Sequence, residues 1–600
     1  MKLSKVPDLT PNKILIGTAL VVTAIITVVW TIQQHGLRDN LGDTDDAMRL
    51  VLVRDLMHGR GWYDQLVTRL QPPEGVYMHW SRLVDAGIAG VTWLFRPFMS
   101  QDNAEYWMRR VWPALWTFPA IGGALAISRR LGGSTAILVM AVIAATNVQI
   151  YEQFHPGRID HHNIQIVMTL IAAACAMGVV DRGRWAIVAG VATGLGLAVG
   201  IEAMPFQALI GASYALRAAF DPADAKTARN YGGALLLSTL FFFALETPPS
   251  RWGLSFCDAL GWNLVAGVVV AGAGLAAFAQ WGVRYSRTVR LVMLGVLGVV
   301  SAGVYLGLHP GCVRGPFGAV DPRVVPFWFS NIQELLSWPQ LLRSQFDTGL
   351  PSVTAGVMSA AAAIYLLWRR RKALDQATLL ACAATFLATA ASYHAFRMQD
   401  YVFWLGFPVL ATALADLSER WLRGLAIPTV VAAMLISPFA IGQAGDSVAA
   451  AINPKLKTVY SAPNRLSCVV RPSYRRLASL PAGVVLSEID FGPYILAYTP
   501  DSVLAAPYHR MSWGILSAHE ALDAPPAAAE QKVRALNVAY VVECPAYILR
   551  TGPQSFEAGL RKGNVPAWLK PLSAPNEPLQ IYQVLPPAKP AVRPTEPRSK

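Results

Sequence analysis

Long apolar runs recur from residue 14 to residue 442 of this 600-residue chain. A helix that crosses the hydrocarbon core of a bilayer needs about 20 predominantly apolar residues. Thirteen runs approach that length, and they lie near residues 14–33, 110–128, 134–150, 163–180, 185–201, 204–218, 230–247, 262–280, 289–308, 350–368, 377–395, 401–417 and 424–442. The chain is therefore predicted to be a polytopic α-helical membrane protein with about thirteen transmembrane helices.

The charge of the chain fits a membrane protein better than a nucleic-acid-binding protein. Only 15% of the residues are charged, whereas soluble domains carry about 25%. The formal net charge of +14 would suit nucleic acid, but the basic residues fall in short loops between apolar runs. We therefore expect membrane lipid, and no nucleic acid, as a partner. No small-residue cleavage site follows the first run, so it is predicted to be a retained helix.

The basic loops predict an orientation. With the N-terminus in the cytoplasm and the spans alternating, every inner loop is basic, as the positive-inside rule requires. These loops contain Arg129 and Arg130, Arg182 and Arg184, Arg217, Lys226 and Arg229, Arg284, Arg287 and Arg290, Arg369 to Lys372, and Arg420 and Arg423. Counting the shorter run 84–100 as a span would move two basic loops outside, so it is interpreted as interfacial or re-entrant. The C-terminus then lies outside.

This topology divides the chain into three parts. Residues 1–443 form a transmembrane domain with outer loops at 34–109, 151–162 and 309–349. Residues 444–585 form an extracytoplasmic α/β domain, because short strands are predicted at 484–486, 503–504, 539–542 and 581–582, with a helix at 526–536. The Pro-rich tail 586–600 is predicted to be disordered. Cys468 and Cys544 could pair outside the cell, and two unpaired thiols are the alternative.

The first outer loop opens with a run of carboxylates, Asp43, Asp45 and Asp46, directly after a predicted span. Carboxylates at this density repel one another unless a cation or a basic group compensates them. Oxygen ligands of this kind suit Mg²⁺ or Mn²⁺, so the three residues are candidate metal ligands. The alternative is a solvated turn in which Asp43 or Thr44 caps a helix.

The second outer loop is short and unusually polar. Asp160, His161 and His162 follow one another and can supply metal ligands, or a base beside a ligand. Arg158 is a candidate phosphate ligand. The alternative is an ordinary interfacial loop with a helix cap at Asn163.

Two further candidates lie beside the membrane on the predicted outer side. Glu334 stands in an aromatic stretch of the loop 309–349, where an acidic residue needs a partner. Arg397 follows the span 377–395, and a lipid phosphate would be a natural partner for it. An amphipathic interfacial helix around Glu334 and snorkelling of Arg397 to headgroups are the alternatives.

The outer domain carries polar and aromatic residues directly after predicted strands. Asp490, Phe491 and Tyr494 follow the strand at 484–486, and His509 and Arg510 follow the strand at 503–504. Loops that follow strands commonly hold binding residues, so these five are candidate acceptor-binding residues. A helix cap would explain Asp490 equally well.

In this order the motifs resemble the GT-C membrane glycosyltransferases, and within them the oligosaccharyltransferase catalytic subunits of the STT3, AglB and PglB type. That family has thirteen spans and an outer C-terminal domain. Its first acidic motif is similar to Asp43-Thr44-Asp45-Asp46, and its second to the segment around Asp160. Its Thr-Ile-x-Glu motif is similar to Asn331-Ile332-Gln333-Glu334. Its acceptor motif is similar to Glu488-Ile489-Asp490-Phe491-Gly492, and its phosphate-contacting arginine corresponds to Arg397.

The chain departs from the family pattern at two places. His161 and His162 stand where the family usually has another acid, and both tryptophans of the acceptor motif are absent. The second departure leaves the acceptor open: a glycan, a lipid or a protein.

The resemblance implies a glycosyltransferase of a bacterial inner membrane, with a cytoplasmic N-terminus and a periplasmic active site. A polyprenyl-phosphate-linked sugar is the implied donor. A divalent metal, Mg²⁺ or Mn²⁺, would neutralise the leaving phosphate, with Arg397 and Arg158 taking the remaining charge. The resemblance also implies that Asp45 and Asp43 are catalytic residues. Asp45 would deprotonate or orient the acceptor, and Glu334 would reach both acceptor and metal. Oligosaccharyltransferase-like transfer of a glycan to protein is one alternative. A non-catalytic lipid or polysaccharide transporter is the other, and it predicts ionisable residues at mid-membrane.

Overall fold

Helices dominate the first three quarters of the chain. The computed structural model describes residues 11–33, 38–178, 182–422, 425–435, 437–452 and 465–587. The helices before residue 453 are α1 Pro11–Gln33, α2 Thr44–Met57, α3 Arg82–Phe95, α4 Gln101–Thr146, α5 His162–Ala176, α6 Arg182–Val199, α7 Met204–Phe220, α8 Ala225–Glu246, α9 Trp262–Trp281, α10 Arg287–Leu308, α11 Trp338–Ser344, α12 Phe346–Arg369, α13 Gln376–His394, α14 Gln399–Tyr401, α15 Phe407–Trp421, α16 Ala426–Leu435 and α17 Pro438–Ile452.

All thirteen predicted apolar runs coincide with helices, but the count of thirteen spans is not established. By length and apolar composition, seven of the helices in the described ranges are able to cross a bilayer, or eight if the bent pair α16 and α17 is a single span. Two predicted runs lie in the one long helix α4, which is broken at Gly132 and Gly133. Helices α5 and α6 are apolar but short.

Helices α8 and α9 approach each other closely through a pair of glycines. A Cβ added at Gly232 would lie 2.7 Å from the carbonyl oxygen of Gly272, and a Cβ at Gly272 would lie 2.8 Å from the carbonyl oxygen of Gly232. Backbone atoms cannot move aside as a flexible side chain can. Small residues at such a contact let two helix backbones pack directly in a membrane.

We expect Gly272→Val to destabilise the helix bundle. The added methyl groups would overpack a backbone contact, and overpacking typically costs about 1–3 kcal/mol. The thermal unfolding midpoint of the purified protein in detergent measures the effect. Gly233→Val, in α8, is the matched control, because a Cβ at Gly233 meets no atom within 4 Å. Equal midpoints for the two variants would contradict the prediction.

The C-terminal part is a small α/β domain, as predicted. Its five strands are ordered β4-β3-β5-β7-β6; β3 is parallel to β4 and β5, whereas β7 is antiparallel to β5 and β6. The strands are β3 Val484–Ser487, β4 Ser502–Val503, β5 Val538–Glu543, β6 Leu569–Pro571 and β7 Gln580–Val584. The helices are α18 Arg475–Ala478, α19 Gly492–Tyr498, α20 Ser512–Asp523, α21 Pro526–Ala535 and α22 Phe556–Arg561. The sequence did not predict β6, and residues 588–600 of the tail lie outside the described ranges.

The C-terminal α/β domain, called the outer domain after its predicted location, packs on the segment 38–109. A short hairpin in that segment pairs β1 Leu66–Val67 with β2 Val76–Tyr77. The Tyr494 hydroxyl donates to the carbonyl oxygen of Gly42 at 2.9 Å, and the Tyr508 hydroxyl donates to that of Thr44 at 3.1 Å. These two bonds place the domain directly over the start of α2.

Two disulfides lie in the loops and the domain that the topology places outside. Cys468 pairs with Cys544, which settles the alternative left open by the sequence. Cys257 pairs with Cys312 and ties the loop between α8 and α9 to the loop 309–349, a link that the sequence did not predict. Cys175 and Cys382 remain free and are buried in α5 and α13.

Candidate active site

A cavity of about 1020 Å³ opens between the outer domain and the helix bundle. Every segment that the topology places outside contributes to its walls. The predicted site residues that line the cavity are Asp43, Asp45, Arg158, His161, His162, Glu334, Arg397, Asp490, Tyr494 and His509. Asp46, Asp160, Phe491 and Arg510 lie in the layer behind those walls.

Two of the three carboxylates in the acidic run, Asp43 and Asp46, accept hydrogen bonds that stabilise the fold. Asp43 is the N-cap of α2 and accepts hydrogen bonds from the backbone N–H groups of Asp45 and Asp46, each at 3.0 Å. The helix-cap alternative is therefore confirmed for Asp43. Asp46 is fully buried, and its carboxylate accepts from the N–H groups of Ile159 and Asp160 and from Arg158. Asp46 thus joins α2 to the second outer loop.

Arg158 is engaged with the acidic run. One guanidinium nitrogen contacts the carboxylates of both Asp43 and Asp46, and another donates to Gln153 at 2.8 Å. The side chain is only 6% exposed. Its first role in this structure is to compensate the charge of the acidic run, and its predicted phosphate contact stays a prediction.

Asp45 is the unengaged carboxylate of the run. No hydrogen bond reaches its side chain from the described ranges of the chain, and it lines the cavity. Burial raises the pKa of Asp45 to about 8, and the neighbouring carboxylates of Asp160 and Glu334 add to the effect. A carboxylate held among others in this way is disfavoured as an anion unless a cation joins it.

Asp160 is held by a buried arginine that the sequence analysis missed. Arg49 donates to Asp160 at 3.2 Å and to Asp85 at 2.9 Å, and its guanidinium lies 4.5 Å from the centroid of the Trp80 ring. Arg49 is 0% exposed. The signal was present, because an aspartate inside the apolar run 84–100 requires a buried partner.

The two histidines flank Asp160. His161 Nδ1 lies 2.6 Å from Oδ1 of Asp160, and His162 Nε2 lies 3.1 Å from Oδ2. His162 also lies 3.1 Å from Glu202 through its other nitrogen. Oδ2 of Asp160 is buried, and His162 is its ion-pair partner within the described residues.

Arg397 joins this cluster from the opposite side. It forms an ion pair with Glu202 at 2.5 Å and approaches Glu334 at 3.7 Å and His162 at 3.2 Å. Burial acts to raise the pKa of Glu202, but the charges of Arg397 and His162 hold that pKa at about 2. Glu334 lies in a 3₁₀ turn rather than in an amphipathic helix. Glu202 is therefore a member of the site that the sequence analysis did not identify.

The acceptor candidates of the outer domain have different surroundings. Asp490 accepts from Arg550 at 2.8 Å and from the Tyr547 hydroxyl at 2.7 Å, and Arg550 also contacts Glu488. Phe491 is fully buried and packs on Tyr547 in the domain core. The carboxylate in the acceptor motif is thus already neutralised within the chain.

The donors around Asp45 fit a hard divalent cation. Asp45 has a free carboxylate, and Glu334 lines the same cavity. Both nitrogens of His162 are paired with carboxylates, those of Glu202 and Asp160. Burial acts to lower the pKa of His162, but these charges raise that pKa well above the usual value, so His162 is a weaker candidate ligand. Asp160, His161 and His162 offer ligand atoms that all lie within 4.8 Å of one another. Oxygen-rich sets of this kind suit Mg²⁺ or Mn²⁺. Asp46 is less suited, because its oxygens already accept several hydrogen bonds.

Comparison with known proteins supports the fold. No protein-family model matches the chain, and no curated protein matches its sequence. Among solved structures, the oligosaccharyltransferase AglB from Archaeoglobus fulgidus in complex with an inhibitory peptide and a dolichol-phosphate matches with a TM-score of 0.65 and 14% identity, over 96% of this chain and 75% of that one. The apo form of the Archaeoglobus fulgidus oligosaccharyltransferase matches with a TM-score of 0.65 and 15% identity, over 88% and 69%. The form tethered with an acceptor peptide containing the NVT sequon matches with a TM-score of 0.62 and 14% identity, over 89% and 69%.

This likeness confirms the predicted GT-C, oligosaccharyltransferase-like fold. At such low identity it concerns the fold alone.

Proposed function

We propose that the chain is a membrane glycosyltransferase that transfers a sugar from a polyprenyl-phosphate-linked donor to an acceptor on the extracytoplasmic face. The observation that carries the proposal is the free carboxylate of Asp45, which lines one cavity with Glu334 and Arg397 and interacts with Asp160 behind its wall. Such a set can neutralise a phosphate leaving group and hold a nucleophile beside it. The oligosaccharyltransferase-like fold supports this assignment.

We also propose the thirteen-span topology, in a bacterial inner membrane, with a cytoplasmic N-terminus and a periplasmic outer domain. Two observations support it. None of the basic residues from the predicted inner loops lines the cavity in the described ranges, whereas every predicted outer segment does. Both disulfides lie on the cavity side, and disulfides persist in oxidising compartments such as the periplasm.

The donor phosphate is assigned to Arg397. Its guanidinium lines the cavity, and it can offer donors to a phosphate in addition to Glu202. A divalent cation held by Asp45, Asp160 and Glu334 would neutralise the phosphate as it leaves. Glu202 and Arg49 fix the positions of Arg397 and Asp160.

The loop 309–349 closes one side of this site. Phe327 stacks on His519 of the outer domain with ring centroids 3.6 Å apart, and the Asp321 N–H donates to Ser512 at 3.2 Å. These contacts tie the loop that carries Glu334 to the outer domain, so the loop would cover one side of the bound donor.

Transfer of a glycan to protein is the second candidate. It rests on the likeness in fold to an oligosaccharyltransferase crystallised with a tethered acceptor peptide. The ion pair of Asp490 with Arg550 disfavours a peptide site that uses the carboxylate of the acceptor motif, because this carboxylate is already paired. A transporter is less favoured, because the charged residues of the cavity gather at the outer ends of the helices rather than at mid-membrane.

Comparative analysis of glycans and lipids tests the proposal. Cells that lack the protein should lack one glycoconjugate and accumulate its polyprenyl-linked donor, because the transfer step is missing. Mass spectrometry of lipid extracts and envelope fractions measures both changes. Complementation with the wild-type chain should reverse them. If no glycoconjugate changes and no donor accumulates, the transferase assignment is wrong.

A further inference from the structure

A second polar cluster lies in the cavity wall, apart from the carboxylates described above. It consists of His79 from the first outer loop, Asp258 from the loop between α8 and α9, and His509 and Arg510 from the outer domain. His79, Asp258 and His509 line the cavity. The function proposed above assigns no task to this group.

Asp258 is fixed from two sides. Arg510 donates Nε to its Oδ2 at 2.7 Å and Nη2 to its Oδ1 at 2.8 Å. The preceding residue, Cys257, is anchored by the disulfide to Cys312. Burial acts to raise the pKa of Asp258, but hydrogen bonds from His509 and Arg510 hold it well below its usual range. Asp258 is therefore a rigid and permanently ionised carboxylate.

His509 is oriented by this carboxylate. Its Nε2 lies 2.7 Å from Oδ2 of Asp258, so that nitrogen carries the proton and donates it. Nδ1 is then the basic nitrogen, and no hydrogen bond reaches it from the described part of the chain. The ring also packs edge-on against Phe317 at 5.2 Å and against His79 at 4.7 Å between centroids. A carboxylate that sets the tautomer of a histidine is the positioning half of a catalytic triad.

His79 does not compete for this task. Burial lowers the pKa of His79 well below its usual range, and the neighbouring His509 and Arg510 add to the effect. The charged and titratable groups that face His509 are thus Asp258, Arg510 and His79.

A glycosyl transfer to a hydroxyl needs a base, and Asp45 is poorly placed for that role. A carboxylate that coordinates a divalent cation is held in its charged form and is a weak base. Because the function proposed above assigns Asp45 to the cation, the acceptor proton requires another destination. An imidazole is matched to a hydroxyl, whose oxygen lone pair is available for bonding. The lone pair of an amide nitrogen is delocalised into the carbonyl, so an amide needs activation beyond removal of a proton.

We infer that the acceptor is a hydroxyl group and that His509, positioned by Asp258, is the base that takes its proton. The inference rests on the transferase function proposed above. The acceptor O–H bond breaks and its proton passes to Nδ1 of His509. The oxygen electron pair forms the new bond to the anomeric carbon, and the bond from that carbon to the phosphate oxygen breaks with its electrons on the phosphate. The imidazolium keeps its Nε2–H bond to Asp258 and returns the proton to water.

The cluster is less suited to a metal ion, although its three ligand atoms lie within 4.8 Å of one another. Both oxygens of Asp258 already accept from the Arg510 cation, which would repel a second cation at that point. Loss of a metal on substitution is therefore a clear opposing outcome.

The test uses membranes from cells that carry the full chain with its native donor and acceptor. The product is the glycoconjugate that cells lacking the protein fail to make. We expect His509→Ala to lower its rate of formation about 100-fold, which is within the usual contribution of a general base. Added imidazole should restore part of the rate, and His509→Gln should show the same loss at nearly unchanged KM. The exposed His58, mutated to alanine, is the control.

The possible outcomes distinguish failure of the base assignment of His509 from failure of the proposed transferase function. An O-glycosidic linkage in the product and imidazole rescue of His509→Ala support the inference. Any one of three results overturns it: a linkage to an amide nitrogen, a wild-type rate for His509→Ala, or a His509→Ala variant that folds normally but is inactive and not rescued by imidazole. Asp45→Asn tests the transferase assignment independently of these results. Loss of a bound metal from purified His509→Ala, measured by elemental mass spectrometry, overturns it in favour of a metal site. If no product depends on the protein, the proposed function itself fails.

Discussion

Sugar transfer by Asp45→Asn is expected to fall about 1,000-fold, equivalent to about 4 kcal/mol of transition-state stabilisation. The substitution keeps the size of the side chain and removes its charge. It does not disturb the helix cap, because Asp43 rather than Asp45 accepts the capping bonds. The rate of product formation in membranes measures the effect. A second readout, the affinity for Mn²⁺ by calorimetry, should fall in parallel, because the free carboxylate is the proposed ligand.

Asp55→Asn is the matched control for that experiment. Asp55 lies on the same helix, and its ion pair with Arg60, at 3.3 Å, is partly exposed. Exposed pairs of this kind contribute about 0–1 kcal/mol, so both activity and stability should remain near the wild-type values. A wild-type transfer rate for Asp45→Asn would contradict the assignment of Asp45 as a ligand of the divalent cation.

Arg49→Met is expected to destabilise the protein by about 3–5 kcal/mol, because it removes a buried cation that two buried carboxylates share. Asp85 keeps only its ion pair with Arg82, at 3.1 Å, and Asp160 keeps no arginine partner within the described residues. Arg49 is the common partner of Asp85 and Asp160, which are 1% and 2% exposed. Burial already raises the pKa of Asp85, and Arg49 counteracts that rise. The thermal midpoint in detergent should fall steeply, and transfer should be lost because Asp160 is no longer held.

A double substitution separates charge from packing in that result. Arg49→Met combined with Asp160→Asn removes the carboxylate that Arg49→Met leaves without an arginine, so part of the lost stability should return, as expected for coupled neighbours. Arg60→Met, in a partly exposed pair on the following turn, should change the midpoint little. If the double variant is no more stable than Arg49→Met, the ion pair is not the source of the loss.

The sequence predicted much of the architecture because hydrophobic periodicity and loop charge are local signals. The strands around Val485 and Val541 were found for the same reason. The number of spans is harder to predict, because a helix such as α4 contains two apolar runs separated only by the break at Gly132 and Gly133. Strand β6 was missed because it is short and exposed, and only its pairing with β7 defines it.

The residues named from the sequence lie together at one cavity, but their pairing was not predicted. Asp43, Asp45 and Asp46 are adjacent in sequence, yet the first caps a helix, the second is free and the third is buried against Arg158. Sequence spacing cannot distinguish these three environments, because they depend on groups more than 100 residues away. The same reason hid Arg49, Glu202 and Asp258, whose partners come from distant loops.

Under the proposed topology, the disulfide between Cys257 and Cys312 links assembly of the site to an oxidation step that follows membrane insertion. It joins the loop that carries Asp258 to the loop that carries Glu334. Hydrophobic insertion can complete the helix bundle without any covalent change. The wall of the cavity also requires oxidation of the Cys257 and Cys312 thiols to a disulfide. The amount of competent protein in a cell is therefore coupled to the thiol oxidants of its envelope. A strain with weakened envelope oxidation would resemble a strain short of this protein.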